Sequence, residues 1–146
     1  MERFTGTMEV LTDVDVSLYV DWLQAIPTEE WRKSTDMAWR GWGEKFKPLA
    51  SELIDEFFPG CRASGYGLFL LESGSCQLVH QDEQVPNWIV RVHVPIVTNP
   101  HAVMTFDDWP RHMEVGRAYK FNTLAPHSLY NGGKTPRVHF IFDVVN

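Results

Sequence analysis

The spacing of hydrophobic positions changes once along the chain, at Pro59-Gly60. Before that point Val16, Tyr19, Val20, Leu23 and Ile26 recur at helical spacing behind Asp13 and Asp15, either of which can cap a helix start, and Pro27 ends the run. A second stripe, Phe46, Leu49, Leu53, Ile54 and Phe57, predicts another helix, stopped by Pro59-Gly60. Between them Trp31, Trp39 and Trp42 sit in an irregular stretch with Gly41 and Gly43. Tryptophans in such a place plug a core, with a lid or a substrate contact as the other reading.

After Gly60 the pattern turns to short β-type runs: 62–71, 76–82, 88–97, 102–106, 117–121, 126–130 and 137–145. The breaks carry turn chemistry, at Ser73-Gly74, Val85-Pro86-Asn87, Asn99-Pro100, Val115-Gly116 and Asn131-Gly132-Gly133. Closely spaced strands of this kind predict a sandwich or barrel. With no repeat, low-complexity tract or linker, the expectation is one domain, a helical front layer over residues 1–60 on a mainly β body over 61–146.

Strand alternation assigns faces. Trp88, Val90, Val92, Val94 and Ile96 share one face, leaving Ile89, Arg91, His93 and Pro95 on the other; in the last run Val138, Phe140, Phe142 and Val144 oppose Arg137, His139, Ile141 and Asp143. Two strands therefore each carry an Arg-x-His pair on the less apolar face. A solvated sheet face is one reading and a shared polar site is the other.

Composition narrows the partners. The 146 residues include 19 acids against 13 Lys plus Arg, for a net charge of -6. Twelve of the acids precede residue 61, so the acidic excess belongs to the helical front, while the β body, which holds all six histidines, is balanced. Nucleic-acid binding is not expected, because it needs a clustered basic excess. Cys61 and Cys76 form no framework and no CxxC pair, so a reducing cytosol is the simpler setting, and a small buried thiol is the reading for Cys76. The start, MERFTGTMEV, has no basic-then-apolar pattern, and nowhere do 18 apolar residues run together. Neither a signal peptide nor a membrane span is expected.

The sharpest chemical feature is His80-Gln81-Asp82. On a strand, residues i and i+2 point the same way roughly 6.5 Å apart, within reach of one metal ion. His127 in a later run is the best third candidate, and two histidines with one carboxylate leave positions open, as in non-haem Fe(II) oxygenases. Arg137 follows His127 by ten residues, and a guanidinium suits a carboxylate-bearing cosubstrate because it pairs bidentately. His101 and His112 lie in a turn and a polar run, and are read as loop residues. No GxSxG and no Cys-His arrangement is present.

From Leu70 to Val144 the chain resembles the aspartyl/asparaginyl β-hydroxylase family of Fe(II)- and 2-oxoglutarate-dependent dioxygenases. The resemblance is carried by His80-Gln81-Asp82, Arg91-Val92-His93-Val94-Pro95-Ile96, Gly116-Arg117-Ala118-Tyr119, Pro126-His127-Ser128-Leu129-Tyr130-Asn131 and Arg137-Val138-His139-Phe140-Ile141-Phe142-Asp143, with order and spacing kept. It implies a double-stranded β-helix, or cupin-like jelly roll, with iron in its mouth. It further implies His80, Asp82 and His127 as iron ligands, Arg137 as anchor for the distal carboxylate of 2-oxoglutarate, and Arg91 and His93 near the cosubstrate carboxylates. His139 shares Arg137's face and joins the same group. Asp82 is present here, whereas the animal enzyme that names the family lacks the acidic ligand.

The implied activity consumes O2 and 2-oxoglutarate, releases succinate and CO2, and hydroxylates an unactivated C–H of an amino acid, free or peptidyl and Asp- or Asn-like. Two alternatives stay open: a cupin-type metalloenzyme that does not use 2-oxoglutarate, and a non-catalytic jelly-roll binding module. Substrate contacts are expected from the Gln84–Asn87 loop, the 107–112 loop and the Trp31–Trp42 stretch, with a small molecule or a peptide as partner.

Overall fold

The structure is a computed structural model and describes residues 1–34 and 42–146. In chain order the elements are β1 (Met8–Asp13), α1 (Ser17–Gln24), α2 (Thr28–Ser34), α3 (Trp42–Lys45), α4 (Lys47–Phe57), β2 (Arg62–Leu71), β3 (Cys76–His80), β4 (Trp88–Val97), β5 (Ala102–Phe106), β6 (Trp109–Arg111), β7 (Arg117–Phe121), β8 (His127–Asn131) and β9 (Arg137–Val145). The strands form two sheets, β1-β7-β4-β9-β2 and β3-β8-β5-β6. Every pairing among them is antiparallel, which gives a jelly roll with the site between its sheets.

The predicted change of period is real, and local chemistry places the ends of the helices. Asp15 Oδ1 accepts the Ser17 N–H at 3.0 Å and the Ser17 hydroxyl at 2.7 Å, so α1 starts there, while Asp13 ends β1 and pairs with Arg117. α4 opens with Pro48 in its first turn, where the missing N–H costs nothing, and stops before Gly60 at φ +84°.

The helices cover the outer face of the five-stranded sheet. Leu23, Phe46, Leu49 and Leu53 pack on Val90, Val92, Val94, Phe140, Phe142 and Val144. Phe46 is the centre of this layer, stacked on Phe140 at 5.1 Å and on Tyr19 at 4.6 Å. Trp31 is buried and donates its indole N–H to Leu23 O, a core role; Trp39 and Gly41 lie outside the described residues.

Of the two readings of the Arg-x-His faces of β4 and β9, the shared polar site holds: His93, Arg137 and His139 are buried, because those faces turn inward between the sheets while the aliphatic faces meet the helices. Other expectations need correcting. The run 76–82 is strand only to His80. A register shift falls between Gln77 and His80, and Cys76, paired with Tyr130, is exposed rather than the buried thiol expected. The sequence pattern predicts none of β1, β6, α2 and α3, the last lying where Trp42 and Gly43 read as irregular. Asp107 and Asp108 both take positive φ, 48° and 63°, and join β5 to β6 as a two-residue hairpin turn within what reads as a polar loop.

Candidate active site

His80 ends β3 and His127 begins β8, and the two are direct cross-strand partners with ring centroids 4.4 Å apart. Asp82 lies two residues beyond the end of β3, where its N–H bonds Thr123 O at 2.9 Å and Gln81 next to it donates to Leu124 O. These bonds tie the loop after β3 to the one before β8. One ligand atom from each of His80, Asp82 and His127 falls within 4.8 Å of the others.

Hydrogen bonding fixes which atoms are free. His80 Nδ1 lies 2.6 Å from Leu78 O and His127 Nδ1 lies 2.7 Å from Ala125 O. A carbonyl only accepts, so both rings carry a proton on Nδ1, and the neutral form of each ring has its lone pair on Nε2. His80 Nε2 faces Asp82 Oδ1 at 3.3 Å, a nitrogen and a carboxylate oxygen turned to the same point, which a shared proton or a cation satisfies. Burial lowers the pKa of His127, partly opposed by its bond to Ala125, which favours the neutral ligand form. The donor set fits a divalent first-row metal.

Asp82 is itself held in place. Its Oδ2 accepts Arg91 Nη1 at 2.9 Å, and Arg91 forks onto Asp143 through Nε and Nη2. Trp88 completes the row by donating its indole N–H to Asp143 Oδ1 at 3.1 Å. Burial opposes the charge on Arg91, but Asp143 and then Asp82 outweigh it and raise its pKa. The guanidinium that the resemblance sets near the cosubstrate is thus engaged with two carboxylates.

Arg137 is the contrasting case. It is buried, its Nε has no partner, and no ion pair reaches it among the described residues. Burial alone pushes its pKa down to about 10. It lines a cavity of about 200 Å³ together with His80, Asp82, His127 and His93. Phe69, Leu71, Phe121 and Leu129 form apolar wall around them. A buried guanidinium without a counter-ion is a strong site for a carboxylate, so the residues present also fit a dicarboxylate cosubstrate.

His93 and His139 meet behind Arg137, Nδ1 to Nδ1 at 3.1 Å, and both are fully buried. Burial, and then the charge of Arg137, hold both imidazoles well below their ordinary pKa, so both are neutral. His101 and His112 stand apart: the His101 N–H caps onto Asn99 Oδ1, and the His112 ring contacts Ala102 O. Asp143 and Trp88 escaped the sequence reading as site residues. The alternation of β4 and β9 does place Asp143 on the face of Arg137 and His139, and that was the available signal.

Two antiparallel sheets closing on a His/Asp/His cluster at one mouth define a cupin-like, double-stranded β-helix protein. The apo form of the non-heme monooxygenase ThoJ superposes with a TM-score of 0.67 at 13% identity, over 97% of this chain and 75% of that one. A prolyl-4-hydroxylase from Pseudomonas putida gives 0.63 at 15% identity, over 97% and 94%. Residues 27–146 match the family profile described as Aspartyl/Asparaginyl beta-hydroxylase, and the chain belongs to that family. An L-proline cis-4-hydroxylase from Rhizobium meliloti (strain 1021) is 29% identical over 101 residues, 68% of this chain. The chain spans 36% of the length of that curated relative. Among the described residues no helix is long and apolar enough to cross a membrane.

Proposed function

We propose that the protein is an Fe(II)- and 2-oxoglutarate-dependent dioxygenase that hydroxylates an unactivated C–H of an amino acid, free or peptidyl. The observation that carries this reading is the unpaired, buried Arg137 in the same cavity as the three converging ligand atoms. In a cupin metalloenzyme that does not use 2-oxoglutarate, Arg137 would serve the fold or bind substrate, and its buried charge without a counter-ion favours an anionic ligand over a purely structural role. The family, and a relative named for hydroxylating L-proline, support the reaction type and an amino acid as substrate.

Each side chain has a task in this reading. His80, Asp82 and His127 would hold the metal. Iron and 2-oxoglutarate, when bound, would supply the oxidising power to insert one oxygen atom of dioxygen into the substrate C–H, with succinate and CO2 as coproducts. Arg137 anchors the distal carboxylate of the cosubstrate. Arg91, held by Asp143, keeps one oxygen of Asp82 occupied so that the other faces the metal. Phe69, Leu71, Phe121 and Leu129 keep water away from the reacting centre. Two free cysteines, one of them exposed, accord with a reducing, cytoplasmic setting.

The test is an anaerobic titration of the Fe(II)-loaded protein with 2-oxoglutarate, followed by absorbance. A metal-to-ligand charge-transfer band is expected; no spectral change would count decisively against 2-oxoglutarate use. Succinate release across free amino acids and short acidic peptides then identifies the substrate class.

A further inference from the structure

Three buried nitrogens are left without a partner on the far side of Arg137: His139 Nε2, Arg137 Nε and Arg111 Nε. All three residues line one small cavity of about 10 Å³, with Met104 and Met113 among its apolar walls. A cavity of roughly 10–15 Å³ holds one water, provided it offers two to four polar partners. Its lining residues carry two unpartnered guanidinium Nε–H donors, which need an acceptor, and one imidazole nitrogen that can take either role.

The occupant decides the protonation of both rings. Only one proton fits between His139 Nδ1 and His93 Nδ1 at 3.1 Å, and each ring is neutral. A water can accept from both arginines and donate to His139 Nε2. His139 then carries its proton on Nδ1 and gives it to His93 Nδ1, which leaves the His93 proton on Nε2. An anion in the same place accepts but cannot donate, which forces the opposite order. A cavity of this size holds one water.

We propose that a single buried water, held by Arg111, Arg137 and His139, orders the imidazole pair so that His93 presents an N–H at Nε2 to the main cavity. His93 Nε2 is itself buried with no partner, and His93 lines that cavity beside Arg137. Arg111 and His139 are positioning residues in this scheme. What the His93 N–H meets there, a carboxylate of the cosubstrate, rests on the dioxygenase reading; the ring order does not.

The test is long-range ¹H–¹⁵N NMR of the histidine rings in the full chain, without metal or cosubstrate, with His93→Gln and His139→Gln for assignment. Expected are a protonated Nε2 and bare Nδ1 on His93, with the reverse on His139. The opposite pattern on both rings, alone or on adding chloride, overturns the proposal. Arg111→Lys removes the Nε donor but can keep a donor for Met8 O, which Arg111 Nη1 now reaches at 2.9 Å. In that variant the ordered pattern should give way to a mixture of tautomers with the melting temperature little changed. An unchanged ring pattern in Arg111→Lys also overturns it. A failed anaerobic titration would instead sink the dioxygenase reading and leave the ring order to stand or fall by itself.

Discussion

Arg91 and Asp143 face each other across β4 and β9 in register and form a two-bond fork, Nε to Oδ1 at 2.9 Å and Nη2 to Oδ2 at 2.8 Å. The third guanidinium nitrogen is thereby aimed at Asp82, so the orientation of a proposed metal ligand is set from the centre of the five-stranded sheet. Asp143→Asn keeps the shape but removes the charge that fixes Arg91. Metal affinity should fall about 10- to 100-fold, as for other outer partners of metal ligands. Stability should fall by about 3 kcal/mol, since a mostly buried ion pair loses one member. Isothermal titration with Mn(II) and urea unfolding measure the two effects. Unaltered metal affinity would show that Arg91 needs no help in holding Asp82.

Much of this arrangement was legible in the sequence, and the places where it was not have physical causes. The runs for β2, β4, β5, β7 and β9 coincide with the strands, because their alternation is strong and turn residues bound them. β4 and β9 are central and buried on both faces, so alternation separated the two faces correctly but could not say that both were inside. β1 is an edge strand with a register shift between Val10 and Thr12 and only partial burial, which blurs any period. The three-residue β6 is too short to show a period at all. His80 and Asp82 meet as expected, but not because they share a strand: β3 ends at His80, and backbone and side-chain bonds to Thr123 and Leu124 bring Asp82 round.

Arg137 separates cosubstrate binding from stability. Its charge is buried without a counter-ion, so Arg137→Met should leave stability unchanged or raise it by about 1–2 kcal/mol. The same change should weaken 2-oxoglutarate binding by about 2–5 kcal/mol, roughly 30- to 5,000-fold, because the buried carboxylate loses its partner. Metal affinity should be little altered. Chemical denaturation and anaerobic titration of the variant check both signs, and a large loss of stability would mean that Arg137 serves the fold.

Acid should destabilise the protein well before its carboxylates titrate. His93 and His139 have folded pKa values well below 6.5, so between those values and 6.5 the unfolded chain binds more protons than the folded one. Stability therefore rises with pH across that window and is lost as pH falls below about 6.5, with a limiting slope of roughly 1.4 kcal/mol per pH unit for each ring. Urea unfolding from pH 7.5 to 5 should show this fall. His139→Gln should roughly halve the part of the slope due to the pair. A flat profile over that range would mean that the two rings are not held neutral.

The metal is expected to add to the stability of the protein but not to create it. The large core lies between the helices and the outer face of the five-stranded sheet, and none of His80, Asp82 or His127 belongs to it. Chelator-treated protein should keep its far-ultraviolet circular dichroism and unfold cooperatively. Metal at about 100 times its Kd should add about 2.7 kcal/mol by mass action. For a chain of this length that is roughly 5–10 °C in Tm. Asp82→Ala and His127→Ala should lose this metal-induced shift while still unfolding cooperatively without metal. Asp82→Ala starts from a lower Tm, because Arg91 loses one of its two carboxylates. If both variants keep the full metal-induced shift, His80, Asp82 and His127 are not the metal site.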